Sequence, residues 1–365
     1  MKKRTRFALR RQRPAFRILI LLFALFFLIT AYSLGRAVFA TSSDPLAARV
    51  AEWSRDHYLG FVVTGLEQIQ YQLHPPKVGG SVTPGILKTG PSSRIQLETI
   101  VTPALPGEGT YSAVLKNGEV PIIETAYMRP DAIHTSYLST IVRMSGALTR
   151  FEQRPGYSDP GLVTGWTTSD SILDLASSGI IATFNGGFKI KSAKGGIYQD
   201  GVTKGKLLAG AATLVVYKDG HSEIGSWGRD FTMSPEISSA RQNLKLLINE
   251  GAIATNINDA VQSNWGTTVG IKTFVWRSGI GITKNGDFVY VVGNALSAYS
   301  LANLLLKAGA IRAMQLDINA AWVSYMYYKP TVTGLLHSIK VAPFDRPANR
   351  YFKSSSRDFF VVYSK

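Results

Sequence analysis

Asp317 is the first residue whose type and position suggest chemistry. It follows a short apolar run, Ala310 to Leu316, and Asn319 comes two residues later. A carboxylate at the end of a strand can act as a general acid or base, and binding sites favour strand ends. An Asp-x-Asn sequence is equally typical of a turn that closes a strand. The residue types alone leave both interpretations open.

Two further stretches place glycines beside polar side chains. In NGGF, residues 185–188, an asparagine follows a β-favouring apolar run. Gly186 and Gly187 allow close backbone approach and expose amide groups to a sugar or anionic oxygen. The stretch from Gly195 to Gly201 contains Asp200, a candidate second carboxylate. An ordinary turn and a hairpin explain these two stretches equally well when each is taken alone.

The segment WRSGIG, residues 276–281, combines an aromatic ring, a guanidinium and a hydroxyl. The planar fork of Arg277 suits phosphate or carboxylate, Ser278 offers a hydroxyl, and Trp276 offers a face to a sugar ring. An arginine at the start of a β-favouring run also suits a purely structural role, so this segment too has two interpretations.

The order of these four stretches resembles the phosphodiester glycosidase family of uncovering-enzyme-like domains. That family shows an N-G-G-F element, then a G-x-x-x-x-D-G stretch, then a strand with arginine and small residues, and finally a helix leading to a strand that ends L-D-G-G-G-S. The resemblance covers roughly residues 110–365. The apolar N-terminal segment, AEWSRDH and RQNL (residues 241–244) also resemble membrane-anchored members from actinobacteria.

The resemblance implies an extracytoplasmic hydrolase that cleaves a glycosidic bond in a sugar-phosphodiester or a cell-envelope glycan. Asp317 would then be a general acid/base or an electrostatic stabiliser, with Asp200 as the second carboxylate. Arg277 would neutralise the phosphate. The groups that would hold substrate oxygens or stack on the sugar are Asn185, Gly186, Gly187, Ser278, Asn319 and Trp276.

The loop after the carboxylate departs from the family pattern. D-G-G-G-S is replaced by D-I-N-A-A, residues 317–321. Ile318 disfavours the positive φ that glycine allows, and Ala321 has no hydroxyl. A second hypothesis therefore stays open: a non-catalytic envelope glycan-binding protein on the same fold. In that case Trp276, Trp322 and the tyrosines of WVSYMYY would stack on sugar rings, unless they are simply core residues.

Histidine and metal chemistry have little support in the sequence. His134, in RPDAIHTSY, is a candidate general base, although a histidine between polar residues is more often a structural hydrogen-bonding group. The five histidines lack the spacing of a metal site. No cofactor is identified, and Asp and Asn oxygens could hold a divalent cation without any spacing that specifies one. The absence of cysteine excludes thiolate chemistry.

The elements that must position these residues are mostly short strands. Asn117-Gly118, Asp219-Gly220 and Asn285-Gly286 mark turns between β-favouring runs. Two helices are expected within the domain, residues 169–179 with Ser169 as N-cap, and residues 295–309 with Ser297 as N-cap and Gly309 just past the end. The predicted fold class is α+β: a strand-rich mixed-sheet domain with a few helices, preceded by one N-terminal transmembrane helix.

The charge pattern points to a membrane rather than to nucleic acid. The net charge of +16 falls to +8 without the eight Lys and Arg of residues 2–17, and the rest is well mixed. We therefore expect no nucleic-acid partner. The uncharged segment Ile18 to Leu34 follows the basic block, and its helix would span about 26 Å, at the short end for a membrane.

The expected organisation has four parts: a basic cytoplasmic tail (1–17), a transmembrane anchor or signal segment (18–40), a helical stalk with a Pro/Gly-rich linker (41–109), and the glycosidase-like domain (110–365). The positive charges place the C-terminal domain outside the cell membrane. Cleavage near Ala40 would instead release a secreted protein. A helix with Asp44 as N-cap opens the stalk, and this segment leaves a third hypothesis, a membrane-anchored assembly factor.

Overall fold

The computed structural model describes residues 14–40, 42, 44–83, 95–161, 163–173, 179–258, 264–266, 273–331 and 335–365. The chain divides into two compact units. One comprises Met1–Thr41 with Pro45–Val63, and the other comprises Ser42–Asp44 with Thr64–Lys365.

The first unit contains the apolar helix that the sequence predicts. Its helices are α1 (Pro14–Val38) and α2 (Leu46–Asp56), followed by the start of α3 (Gly60–Leu73). Residues Phe16–Val38 of α1 are long and apolar enough to cross a membrane. Trp53 of α2 donates an indole hydrogen bond to Ser33 of α1 at 3.0 Å.

The predicted N-cap of α2 is wrong by one residue. Pro45 occupies the N-cap position, and no side chain caps this helix. Asp44 belongs to the second unit, where its carboxylate forms a buried ion pair with Arg346 at 2.7 Å. A charge-assisted contact to a guanidinium is stronger than a helix cap, which explains where the carboxylate goes.

The second unit is built almost entirely from strands, as predicted. Its helices are the end of α3, the single turn α4 (Ile190–Ala193) and α5 (Ala298–Lys307), with a 3-10 turn at Arg350–Phe352. Its strands are β1 (Ser112–Asn117), β2 (Val120–Met128), β3 (Ser139–Met144), β4 (Thr149–Arg154), β5 (Ile180–Asn185), β6 (Ile197–Gln199), β7 (Val202–Lys204), β8 (Ala212–Tyr217), β9 (Ser222–Ser226), β10 (Ile237–Gln242), β11 (Leu246–Asn249), β12 (Ala252–Ile253), β13 (Val275–Thr283), β14 (Phe288–Leu296), β15 (Ala310–Ile318), β16 (Tyr325–Pro330), β17 (Leu336–Lys340) and β18 (Phe359–Ser364).

The strands form three antiparallel sheets. The large sheet has the order β1-β2-β3-β14-β13-β15-β11-β12. A second sheet, which we call the C-terminal sheet, has the order β17-β16-β5-β18-β4, and the third has the order β7-β6-β10-β8-β9. The strand that carries NGGF and the strand that carries Asp317 therefore lie in different sheets.

Alternating side chains of the large sheet fill two cores. On β14, Phe288, Tyr290 and Val292 pack towards the C-terminal sheet, whereas Val289 and Val291 pack against α5. This period of two is the pattern of a strand buried on both faces. Each fully buried aliphatic or aromatic side chain contributes roughly 2 kcal/mol relative to exposure, so the large sheet is the rigid layer of this unit.

Helix α5 confirms its predicted boundaries. The hydroxyl of Ser297 accepts a hydrogen bond from the Ser300 amide at 2.9 Å, and Gly309 follows the C-cap with φ +92°. Leu301, Leu304 and Leu305 are fully buried against the large sheet. The predicted helix at 169–179 lies partly outside the described residues, and residues 169–172 form no helix.

Candidate active site

A β-bulge places Asp317. In the ladder between β13 and β15, Arg277 pairs with Ile318 and Gly279 pairs with Gln315. One residue of β13, Ser278, therefore faces two residues of β15, Leu316 and Asp317. Such a bulge interrupts the strict alternation of side chains and re-aims one of them. Residues 315 and 317 would share one face of a regular strand. Because of the bulge, the Asp317 side chain lies in a different environment from that of Gln315.

The Asp317 carboxylate is buried, with 5% of the residue exposed, and it is held from two sides. Oδ1 accepts a hydrogen bond from the Ile318 amide at 2.8 Å. Oδ2 lies 3.2 Å from Nη2 of Arg357, the residue that precedes β18 by two positions. The same Nη2 donates to the carbonyl of Gly187 at 3.2 Å. The carboxylate is thus tied directly to the NGGF turn.

The two glycines of NGGF are needed because large polar groups pack on them. A Cβ on Gly186 would lie 2.1 Å from Oδ2 of Asp358, and a Cβ on Gly187 would lie 2.9 Å from Cγ of Asn243. Asp358 in turn forms a buried two-point ion pair with Arg241, at 2.8 and 3.0 Å. The turn is therefore packed against the RQN residues 241–243, so the NGGF and RQNL segments, which are far apart in the sequence, meet in the fold.

Asn185 connects the two sheets through its side chain. Its Oδ1 accepts hydrogen bonds from the Tyr290 hydroxyl at 2.8 Å and from the Ser324 amide at 2.9 Å. Its Nδ2 donates to Ser278 Oγ at 3.0 Å, and Ser278 Oγ accepts from the Asp317 amide at 3.2 Å. Burial raises the pKa of Tyr290, so the phenol stays a donor. The network fixes the backbone of Asp317 relative to NGGF.

Arg277 is buried in a shell of neutral oxygens. Its guanidinium donates to the Leu296 carbonyl at 2.8 Å and to Gln315 Oε1 at 3.0 Å, with longer contacts to the carbonyls of Trp265 and Thr273. Burial lowers its pKa to about 10, so the side chain is still charged at neutral pH. Among the described residues, no carboxylate forms an ion pair with it.

A second group of guanidiniums surrounds Trp322, which is itself buried. Arg346 and Arg357 stack over the indole, with centroid distances of 4.6 and 5.1 Å. Arg350 donates to the Trp322 carbonyl at 3.2 Å and to Ser324 Oγ at 3.1 Å. In the part of the chain that the structure describes, Arg350 forms no ion pair with a carboxylate. The three guanidiniums around Trp322 therefore outnumber the two carboxylates that pair with them, Asp44 with Arg346 and Asp317 with Arg357.

One protein-family model matches the part of the chain that carries most of these residues. Residues 178–317 match the phosphodiester glycosidase family model. The resemblance predicted from the four motifs is thereby confirmed over this segment, which begins just before β5 and ends at Asp317. No curated protein matches the sequence.

Three solved structures are similar to this chain. The catalytic domain of zebrafish N-acetylglucosamine-1-phosphodiester alpha-N-acetylglucosaminidase, auto-inhibited by its pro-peptide, has 17% identity over 70% of this chain and 88% of that chain, with a TM-score of 0.45. A Synechocystis protein has 13% identity, over 67% and 62%, with a TM-score of 0.37. A Burkholderia pseudomallei protein described as exported has 10% identity, over 62% and 74%, with a TM-score of 0.34.

Asn319 is where the chain leaves β15, two residues past the end of the segment that the family model matches. Its φ is +81°, and its Oδ1 accepts from the Ala321 amide at 3.0 Å. The positive φ therefore falls on Asn319 rather than on Ile318, which stays in the strand. Asparagine tolerates this conformation better than most residues. Trp276 lies beside it, since the Asn319 amide donates to the Trp276 carbonyl at 2.9 Å.

Two of the sequence candidates lie elsewhere. Asp200 is exposed at the tip of the β6–β7 hairpin, where it accepts from Thr167 Oγ1 at 3.0 Å. His134 is buried beside Asp131, with Nδ1–Oδ1 at 3.0 Å, and its ring packs 4.2 Å from that of Phe274. Asp131 also accepts a hydrogen bond from Ser300 of α5. No contact of either residue with Asp317 is observed among the described residues.

Arg357 and Asp159 are the site residues that sequence reasoning missed. The backbones of Asp159 and Arg357 form an isolated parallel β-bridge. The Asp159 carboxylate accepts a hydrogen bond from the Ile190 amide at 3.1 Å. Burial raises the pKa of Asp159, against the opposing effect of Arg357 and Arg241. Neither residue carries a motif in its neighbourhood. The run SSRD before the last strand was the only feature that could have drawn attention to Arg357.

Most tyrosines of the WVSYMYY segment fill the core, which is one of the two roles expected of them. Tyr325 and Tyr328 are almost fully buried. No group of three or more His, Cys, Asp or Glu side chains is arranged as a metal site among the described residues.

Proposed function

We propose that this chain is an extracytoplasmic hydrolase that cleaves the glycosidic bond of a sugar carried on a phosphodiester or in a cell-envelope glycan. The observation that carries the proposal is the buried Asp317–Arg357 ion pair, which lies at a bulge and directly beside the NGGF turn. The family match supports a glycosidase-like activity. Glycosidases act through carboxylates at the scissile bond.

Asp317 is the working carboxylate in this proposal. A carboxylate balanced by Arg357 can stabilise the positive charge that develops on the sugar ring, or accept a proton from water. The Ile318 amide and the bulge fix its position before substrate arrives. Asn185 and Ser278 act as positioning residues, because their polar atoms are engaged with protein groups.

The excess of positive charge suits an anionic substrate. Arg277 and Arg350 are buried cations that pair with no carboxylate among the described residues, and such cations are costly unless an anion compensates them. A phosphodiester supplies that anion, and the phosphate monoester released when its bond to the sugar is hydrolysed is a good leaving group. Arg277 remains the candidate that neutralises it, and Arg350 joins it as a second candidate.

A second carboxylate is best sought at Asp159. Burial has the largest effect on the pKa of Asp159 and raises it, while the charge of Arg357, which pairs with Asp317, acts to lower it. A raised pKa favours a protonated carboxyl that can act as a general acid. Asp200 was the sequence candidate for this role. The pH–rate profile separates them: Asp159→Asn should abolish the fall in kcat/KM at high pH, whereas Asp200→Asn should leave it intact. The opposite pattern would return the role to Asp200.

The N-terminal helix supports an extracytoplasmic location for the domain. The span Phe16–Val38 is apolar, seven Lys and Arg precede it, and Arg17 lies at its start. Positive residues favour the cytoplasmic side, which leaves the sheet domain outside. An envelope glycan or a sugar-phosphodiester is accessible there.

Turnover of paired substrates tests the proposal. The full chain in detergent micelles is incubated with hexose 1-(alkyl phosphate) diesters of both anomeric configurations and with the matching alkyl glycosides, which lack the phosphate. We expect release of free sugar from the diesters and at least tenfold slower release from the glycosides. Equal rates on the diesters and the glycosides would contradict the proposal that Arg277 and Arg350 neutralise the phosphate.

The same assay addresses the glycan-binding alternative. The loop after Asp317 lacks the glycines and the serine of the family pattern, which is the observation that favours a non-catalytic protein. Saccharide binding without any product from either substrate set would support that alternative and contradict a hydrolase.

A further inference from the structure

A polar pocket lies apart from the Asp317 site. It has a volume of about 410 Å³ and lies between β4 of the C-terminal sheet and strands β6, β8 and β10 of the third sheet. Gln153, Gln199, Asp200 and Ser239 line it, whereas Asp317, Arg277 and Asn185 do not. A pocket of this size holds one or two sugar rings.

Three polar atoms of two buried amides in the pocket lack a protein partner among the described residues. Gln153 is 1% exposed, and among the described residues neither its Nε2 nor its Oε1 has a hydrogen-bond partner. Gln199 is 3% exposed, and its Oε1 is likewise without a partner, although its Nε2 donates to Thr168 Oγ1 at 2.7 Å. A buried polar group without a hydrogen-bond partner carries a free-energy cost. A ligand with both donors and acceptors would recover that cost.

The charges around the pocket are close to balanced. Arg150 and Lys218 supply positive charge, and Glu152, Asp200 and Asp219 supply negative charge. Arg150 is engaged over the Tyr363 ring at 3.9 Å, and Glu152 accepts from Arg154 at 2.7 Å. No surplus of positive charge is left for a phosphate group, in contrast to the Asp317 site.

We propose that this pocket is a second carbohydrate subsite for a neutral, hydroxyl-rich saccharide. A sugar hydroxyl donates and accepts at once, which matches the paired donor and acceptor of a primary amide. Gln153 provides both groups, and Gln199 provides an acceptor. The subsite goes beyond the proposed hydrolysis and does not depend on it, because no residue of the Asp317 site lines the pocket.

Calorimetric titration of the full chain in detergent micelles tests the subsite. The probes are maltose, cellobiose and N,N′-diacetylchitobiose, each raised to about 20 mM to reach the weak, millimolar range typical of small polar ligands. We expect at least one probe to bind. Heat from none of them would mean that the pocket holds water only and would overturn the proposal.

Two variants locate the binding. Gln153→Leu removes the unpartnered amide at similar volume, so it should weaken binding at least tenfold without lowering the unfolding temperature. Ser238→Tyr, at the partly exposed mouth, should block the pocket even if Gln153→Leu fails to fold. Gln70→Leu, on the exposed face of α3, is the matched control and should bind as the wild type does. Unchanged binding in Ser238→Tyr would overturn the assignment. Hydrolysis at Asp317 is measured separately, so failure of either function is recognised on its own.

Discussion

Asn319 shows how a single residue replaces the glycine of a related loop. The family pattern has glycine at this position, and the backbone here still requires a positive φ of +81°. The sequence showed correctly that the glycines are missing. It predicted the unfavourable positive φ at Ile318, because nothing in the local sequence reveals which residue turns out of the strand.

We expect Asn319→Gly to change the free energy of unfolding and the activation free energy of turnover by less than about 1 kcal/mol each, since glycine adopts this conformation freely. Asn319→Val should cost about 2 kcal/mol or more, because a β-branched residue is strained at positive φ. Thermal unfolding of the two variants measures the difference. Asn319 is exposed, so burial does not confound the comparison, and equal stability of both variants would contradict the predicted backbone constraint.

The NGGF turn makes a second residue-scale prediction. Gly186→Ala would bring a Cβ to 2.1 Å from the Asp358 carboxylate and disturb its pair with Arg241. We expect a loss of more than about 3 kcal/mol in the free energy of unfolding. Gly65→Ala on α3 meets no atom within 4 Å and should be neutral or stabilising by up to about 1 kcal/mol. Denaturant unfolding compares them, and a stable Gly186→Ala variant would show that the turn tolerates a side chain.

At the scale of elements, local patterns were enough where the chain contacts itself nearby. The β1–β2 hairpin follows from Asn117-Gly118, and α5 follows from Ser297, its leucines and Gly309. The bulge opposite Ser278 was not predictable, because it depends on the register of two strands about 40 residues apart. Arg357 was missed for the same reason: it meets Asp317 only after the two sheets pack.

The loop of residues 95–111 is an element whose stability depends on one buried ion pair. Glu108 accepts hydrogen bonds from the Arg129 guanidinium at 2.8–3.1 Å and from the Leu105 amide at 2.9 Å. Burial alone would raise the pKa of Glu108, but these bonds together lower it below its ordinary value of 4.5. Arg129 also donates to the carbonyls of Val101 and Pro103.

Acid should therefore loosen this loop. Because the folded-state pKa of Glu108 is lowered, its contribution is complete above pH 4.5 and is lost as the pH falls through the folded-state value. Glu108→Gln should be less stable than the wild type at neutral pH, and the difference should shrink in acid. Unfolding measured against pH tests this, with Glu119→Gln, 98% exposed at its side chain, as the control. A difference that does not change with pH would contradict the linkage.

At the scale of the whole molecule, the composition of the segments and the order of the motifs predicted more than the spacing of individual residues did. The apolar run predicted α1, the turn-rich C-terminal part predicted a strand-rich domain with few helices, and the order of four motifs predicted the family model that matches residues 178–317. The division of roles among Asp200, His134 and Asp159 was beyond the sequence, since it depends on which loops converge in space.

The membrane helix makes a prediction for the intact chain. We expect it to stay with the membrane after alkaline carbonate extraction, because Phe16–Val38 can span the bilayer. Replacing Leu25 and Leu28 by arginine should release the chain, since each charge in the bilayer centre costs about 2.5–3.5 kcal/mol on insertion scales. A chain that is extracted as readily before as after the substitutions would contradict membrane anchoring.

The central claim is that Asp317 is the working carboxylate of a glycosidase site, and one measurement tests it most directly. Turnover of a hexose 1-(alkyl phosphate) diester is compared between the wild-type chain, Asp317→Asn and the exposed control Asp345→Asn, with unfolding temperatures recorded for all three. We predict a fall of about 10²–10⁴-fold in kcat for folded Asp317→Asn and no change for Asp345→Asn. Wild-type turnover in a folded Asp317→Asn variant would contradict the account.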